Sequence, residues 1–352
     1  MEPSDFSTVL LRWYEKNKRD LPWRNTQEAY KIWLSEIILQ QTRVQQGLPY
    51  YERFIEQFPT IQDLANASEE EVLRLWQGLG YYSRARHLHQ AAQQICTLYQ
   101  GNFPTSYREL LQIKGIGKYT AAAIASFAFK EKVAVLDGNV YRVLARYFGI
   151  DKDISTAEGQ KYFAQLAQQL IDERHPDIYN QAIMEFGAIQ CKPAQPDCFF
   201  CPLRSDCVAY HQRKIDQLPV KTKKNAVKTR FFYYLLLEQA GKYLLKKRTE
   251  KDIWKGLHDF PCYEAKKPML VQNILEDWIP CELLKLLNVV HVSPLYKHVL
   301  SHQVLQVTFI HAKTEEIEKN KTWESLFQAN FYDEQTIEKL PKPILIHHYL
   351  TK

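Results

Sequence analysis

The chain has 352 residues, a formal net charge of +6, 45% hydrophobic and 24% charged residues, which is enough for two domains with separate cores. No apolar run is long enough to span a bilayer, which excludes a helical membrane protein. The opening Met-Glu-Pro-Ser-Asp has neither a basic n-region nor an apolar h-region, so a cytoplasmic, non-exported protein is expected. The mild positive charge suits a polyanionic partner but is also ordinary for soluble proteins.

In chain order, the first motif is Ile32-Trp-Leu-Ser-Glu-Ile-Ile-Leu39, in which only Ser35 and Glu36 are polar. A helix there is apolar on most sides. Glu36 is then desolvated, its pKa is raised, and it is kept available as a proton donor; otherwise it lies on a narrow polar stripe with Ser35 and Gln40. Apolar spacing predicts helices over 68–76, 85–99 and 119–127, with Ser68 and Glu71 forming a capping box at the first. Gly78 and Gly80 flank Leu79 ahead of Tyr81-Tyr82, which points to an exposed turn over core packing of the two tyrosines.

Between about 106 and 127, Ile113-Lys-Gly-Ile-Gly-Lys-Tyr119 puts Gly115 and Gly117 at a tight turn between two helices. The second helix would offer unpaired N–H groups to a phosphate, with Lys118 beside them. A plain packing corner is the alternative. Asp137 follows the apolar Val133–Leu136 and precedes Val140, Leu144 and Phe148 at four-residue spacing, so it should cap a helix and favour its anionic form. A proton-donating glutamate and a stabilised aspartate form the pair that glycosidic cleavage uses, although spacing alone cannot bring them together.

Cys191, Cys198, Cys201 and Cys207 follow C-x6-C-x2-C-x5-C. In a reducing compartment such thiols bind metal, and with only one short-spaced pair an iron–sulfur cluster is favoured over zinc. Cys96, Cys262 and Cys281 read as small buried hydrophobes. The acid-free stretch 219–230 then holds Lys221, Lys223, Lys224, Lys228 and Arg230 and reads as a solvated basic linker, bounded at 213–229, or as a phosphate contact. Beyond it, 231–237, 243–245 and 304–310 read as strands and 269–278 as a helix. The expected architecture is an all-α domain over 1–212 followed by an α+β domain over 230–352.

Together the hairpin, the Leu136-Asp-Gly-Asn-Val140 segment and the cysteine loop resemble the helix-hairpin-helix DNA glycosylases related to endonuclease III. Leu21-Pro-Trp-Arg24, Ser35-Glu-Ile-Ile-Leu-Gln-Gln-Thr42 and Gly78-Leu-Gly-Tyr-Tyr-Ser-Arg-Ala-Arg86 narrow the resemblance to the MutY-type adenine DNA glycosylases. Trp254-Lys-Gly-Leu-His-Asp-Phe-Pro261 resembles the MutT-like (Nudix-fold) module of that family.

The resemblance implies one [4Fe-4S] cluster on the four cysteines, a monomer associated with a bacterial nucleoid, and double-stranded DNA carrying adenine opposite 8-oxoguanine as partner. It implies base flipping and hydrolytic release of adenine. Glu36 matches the general acid, Asp137 the carboxylate that stabilises the oxocarbenium-like sugar, and Tyr119 and Asn139 residues that orient them. Arg24, Leu39 and Gln181 match the adenine pocket. Gln41, Thr42, Leu79, Tyr81, Ser301 and His302 match the residues that meet the opposite lesion, with Leu300 replacing a usual phenylalanine. Tyr119 stands where strand-cleaving relatives carry a lysine, so no Schiff base and no strand cleavage are expected.

Rival readings are a glycosylase for oxidised pyrimidines, a nucleotide pyrophosphatase, and a non-enzymatic iron–sulfur DNA-binding or redox-sensing protein. Tyr119 and the second domain argue against the first. The absence of clustered Arg and Glu residues over 262–275 argues against the second, and the presence of both carboxylates against the third.

Overall fold

The computed structural model of the protein describes residues 3–222 and 227–351. By spatial proximity the chain divides into two units, Met1–Asn66 with His87–Lys224, and Ala67–Arg86 with Asn225–Lys352. The segment Ala67–Arg86, expected inside the helical domain, thus belongs with the second unit. Part of the expected linker is tied to the first unit. The amide of Ile154 donates to the Val220 carbonyl at 3.0 Å, and the Thr222 hydroxyl donates to Asp153. Lys223 and Lys224 lie outside the described residues.

The first unit is helical. Phe6, Leu10 and Trp13 of the helix Pro3–Asn17 pack with Val140, Leu144, Tyr179 and Phe186 in its main core. A second cluster joins Ile32 to Ala122, Ala123, Phe127 and Val135, which fixes the helix Ala29–Leu39 against the helix Lys118–Phe129. Leu39 ends the former and Tyr119 lies in the first turn of the latter, so this packing places Glu36 beside the first turn of its neighbour.

The second unit holds a mixed eight-stranded sheet: β1 (Lys228–Gln239), β2 (Lys242–Lys247), β3 (His258–Asp259), β4 (Cys262–Ala265), β5 (Asn288–Val292), β6 (Tyr296–Val299), β7 (Gln303–Lys313) and β8 (Asn330–Asp333). Long central β1 runs parallel to β7, while β2 and β4 pair antiparallel with β1, and β5 and β6 with β7. The helices Val271–Trp278 and Asn320–Phe327 cover one face through Ile274, Leu275, Trp323 and Phe327, packed on Leu235, Leu237 and Ile310. Ala67–Arg86 contributes the helix Glu69–Leu75, which starts with the reciprocal Ser68–Glu71 capping box read from the sequence.

Among the described residues no helix is long and apolar enough to cross a membrane. Cys281 departs from expectation: it is exposed, because it opens the short helix Cys281–Leu284.

Candidate active site

Glu36 is buried on a helix whose positions Ile32 to Ile38 are all buried. The Tyr119 hydroxyl donates to its Oε2 at 2.5 Å. Burial pushes its carboxyl up to about 7; the Tyr119 hydrogen bond and Arg24 pull it down, and the nearby Asp137 adds to the rise. Burial and the two carboxylates drive the Tyr119 phenol well above its ordinary range, so it remains a donor.

Asp137 caps the helix Gly138–Phe148, and its Oδ1 accepts the amides of Asn139 and Val140, both at 2.8 Å. Asn139 Nδ2 donates to Oδ2 at 2.6 Å. Here the sequence expectation needs amending: despite these bonds, burial raises the Asp137 carboxyl above its usual value. Asp137 still carries charge more readily than Glu36, because three N–H donors face it and only one hydroxyl faces Glu36. Asn139 is itself held by Arg142, which donates to its Oδ1 at 2.8 Å, to the Gly187 carbonyl at 2.6 Å and to the Cys191 carbonyl at 2.7 Å.

Glu36 and Asp137 line one cavity of about 520 Å³ together with Arg24, Leu39, Thr42, Tyr119, Asn139 and Gln181. That volume suits a small organic group such as a nucleobase. An adjoining cavity of about 410 Å³ adds Gln41 beside Thr42 and Asp137. Of the residues expected to meet the opposite lesion, Leu79, Tyr81, Ser301 and His302 belong to the second unit. Tyr81 is exposed with a φ of 48°, whereas Leu79 is buried. Ser301 and His302 form the exposed tip of the β6–β7 hairpin, closed by the Leu300 amide on the Gln303 carbonyl at 2.8 Å.

Sequence reading missed Glu185. It ends the helix Pro176–Glu185, lines the large cavity, and accepts paired bonds from Arg19 (2.7 and 2.6 Å) and from Arg24 (3.0 and 2.7 Å). Those two guanidiniums outweigh its burial and hold the carboxyl down at about 2. The signal was the one that exposed Glu36, an acid inside an apolar run, here Ala182-Ile-Met-Glu-Phe186. Gln181 accepts from the Tyr14 hydroxyl at 2.8 Å, which leaves its amide NH2 for a ligand.

In the hairpin, Gly115 has a φ of 87°, and a Cβ added there would lie 2.8 Å from His87 Cβ. Gly117 caps the helix Lys118–Phe129 with no side-chain bond to its first amides, and Gly115, Gly117 and Lys118 are exposed.

None of the four clustered cysteines is in a disulfide, and Cys191, Cys198 and Cys207 are near enough to Cys201 for each to raise its pKa, after burial. Amides of Leu203, Ala209 and Tyr210 point at the sulfurs of Cys201 and Cys207, and Arg146 reaches Cys191 Sγ at 3.5 Å. Donors aimed at mutually close, unpaired thiols fit thiolate ligands of a shared cluster. Among the described residues no group of three or more His, Cys, Asp or Glu is placed to hold a single metal ion. Arg146 also secures the loop by bonding the carbonyls of Lys192, Pro193, Ile215 and Leu218 at 2.7 to 3.0 Å. Of the loop's basic residues, Lys192 is exposed, while Arg204 turns back to the Phe199 carbonyl at 3.1 Å.

Residues 34–169 match the HhH-GPD superfamily base excision DNA repair protein family, and residues 232–352 match the NUDIX domain. The chain is 37% identical over 267 residues to the adenine DNA glycosylase of Buchnera aphidicola subsp. Acyrthosiphon pisum (strain APS), covering 76% of each. It is 36% identical over 304 residues to that of Buchnera aphidicola subsp. Baizongia pistaciae (strain Bp), covering 86% of this chain and 84% of the relative. With the Mus musculus adenine DNA glycosylase the identity is 45% over 222 residues, 60% of this chain and 43% of the mouse protein. Among solved structures, a thermostable thymine-DNA glycosylase superposes with a TM-score of 0.56 at 29% identity, over 60% of this chain and 97% of that one. An endonuclease III–DNA complex, at 20% identity and a TM-score of 0.52 over 60% of this chain and 98% of that one, shares the fold. The chain belongs to the adenine DNA glycosylase family.

Proposed function

We propose that the protein is a DNA repair enzyme that hydrolyses the N-glycosidic bond of adenine mispaired with 8-oxoguanine or guanine in duplex DNA, leaving an abasic site without strand cleavage. The observation that carries this reading is the convergence of Glu36 and Asp137 on one cavity. A flipped adenine enters that cavity, where Glu36, half protonated near pH 7, gives its proton to the departing purine. Asp137, held by Asn139 and two amides, stabilises the positive charge that develops on the sugar. Gln181, Glu185 and Arg24 offer donors and acceptors for the base edge, which supports selection of one purine. Tyr119 supplies no amine, so strand cleavage through a Schiff base has no nucleophile there.

The exposed hairpin, with Gly115, Gly117, Lys118 and the open helix start, suits the DNA backbone. Tyr81 suits insertion between stacked bases, and Ser301 and His302, exposed at a hairpin tip, suit hydrogen bonding to 8-oxoguanine. Cys191, Cys198, Cys201 and Cys207 would hold one [4Fe-4S] cluster, which when bound supplies iron–thiolate bonds that brace the loop. A monomer acting in the cytoplasm completes the proposal.

The test uses duplexes with adenine opposite 8-oxoguanine, guanine, cytosine or thymine, scored for abasic sites with and without alkali. Breaks that need alkali, on the first two duplexes only, are expected. Alkali-independent breaks, or a borohydride-trapped adduct formed at the turnover rate, would contradict hydrolytic release.

A further inference from the structure

We propose that the loop 254–257 of the second unit, with Lys247 and Lys342, is a positioning site for the turn that carries Tyr81; this rests on the adenine-release reading above. The turn has little regular structure of its own. Gly78 and Gly80 have φ of 102° and 75°, and Tyr81 itself stands at 48°, so helical hydrogen bonds cannot hold it. From inside it is tied by Trp76 Nε1 on the Gly80 carbonyl at 3.0 Å and by Arg84 on the same oxygen at 3.2 Å.

Contacts with the sheet module bracket the segment on both sides. Ahead of the turn, Lys247 pairs with Glu70 at 2.7 Å, and the Lys342 amide donates to Gln77 Oε1 at 3.2 Å. Behind it, Arg86 donates to the Lys255 carbonyl at 2.5 Å. Between these, Gly256 lies so close to the helix Glu69–Leu75 that an added Cβ would be 2.9 Å from Leu73 Cδ1. An aromatic ring that separates stacked bases must resist their restacking. A turn without helical structure of its own, braced at both ends, meets that need. Gln77 and Arg86 are therefore positioning residues that act through Tyr81.

The experiment measures single-turnover adenine release by the full chain on two duplexes: adenine opposite guanine, and adenine opposite an abasic-site analogue, where no paired base must be displaced. Gln77→Ala with Arg86→Ala should slow the paired substrate about tenfold, as expected for two lost hydrogen bonds, and the unpaired one far less. Adding the pair to Tyr81→Ala should cause no further loss, because all three residues act on one step. Equal loss on both substrates, no loss, or a loss that multiplies with that of Tyr81→Ala would overturn the proposal. If the double variant does not fold, Glu70→Lys and Lys247→Glu give the same test. Each alone should impair the paired substrate, and together they should restore it; failure to restore would also overturn the proposal. Wild-type protein that releases adenine from neither duplex would contradict the adenine-release reading itself, and this inference with it.

Discussion

Arg142 joins the cysteine loop to the aspartate of the cavity: its Nε donates to the Cys191 carbonyl at 2.7 Å, and its other end reaches Asn139 at 2.8 Å. Asn139 in turn holds Asp137 at 2.6 Å. Arg142→Ala strips the donor from four acceptors, the carbonyls of Gly138, Gly187 and Cys191 and the Asn139 Oδ1, and frees the Asn139 amide to rotate. Adenine release is expected to fall by about 10- to 100-fold, as for other groups that orient a reacting side chain, with DNA affinity nearly kept. Single-turnover rates set beside Kd on the same duplex check this.

The alkaline side of the pH profile should report Glu36. Its carboxyl, raised from 4.5 to about 7 chiefly by burial, is protonated and competent below that pH and loses its proton above it. kcat/KM should therefore decline as pH rises through 7. Tyr119→Phe removes a hydrogen bond that lowers this pKa, so the decline should move to higher pH as the rate falls. A Tyr119→Phe profile with an unmoved or lowered alkaline limb would contradict the assignment.

The same shift has a consequence for stability. A carboxyl whose folded pKa exceeds its unfolded one contributes most below the unfolded value, and that contribution is lost as pH rises through the folded pKa. For Glu36 the window runs from 4.5 to about 7. Glu36→Gln removes the buried charge, so it should be more stable than wild type at pH 8 by on the order of 1–3 kcal/mol, with no such gain at pH 4. Urea midpoints at the two pH values provide the comparison.

Much of this site was legible in the chain. Glu36 stood out because its neighbours are apolar, and Asp137 because the periodicity beginning at Val140 makes it a cap. What local sequence could not encode was long-range pairing. Glu185 meets Arg24 across 161 residues, and nothing near either residue announces the other. Likewise the helical pattern of 69–75 gives its period but not the core it joins, and that helix sits with the sheet module. Short β3 and β8 were illegible because two- and four-residue strands owe their conformation to the pairing of β2 with both.

Gly115→Ala should weaken both fold and DNA binding. The new methyl meets His87 at 2.8 Å on a backbone with a φ of 87°, so a loss of about 1–3 kcal/mol in the urea-derived stability is expected. Affinity for undamaged duplex should fall as well, since the turn sets the hairpin amides.

Arg146→Ala leaves four carbonyls of the cysteine loop and its flank, the Leu218 one buried, without their donor. The buried acceptor left unpaired costs about 1–3 kcal/mol, and with the other three ties gone the loop should loosen. The purified variant is expected to have fallen in melting temperature and to lack the visible absorbance of the proposed cluster.

The most direct measurement is single-turnover adenine release from an adenine:8-oxoguanine duplex by Glu36→Gln, with duplex affinity determined alongside. The proposed chemistry predicts near wild-type affinity and base release at or below about 1% of the wild-type rate, the scale of a lost general acid. Release at the wild-type rate would show that the proton comes from elsewhere and would contradict it.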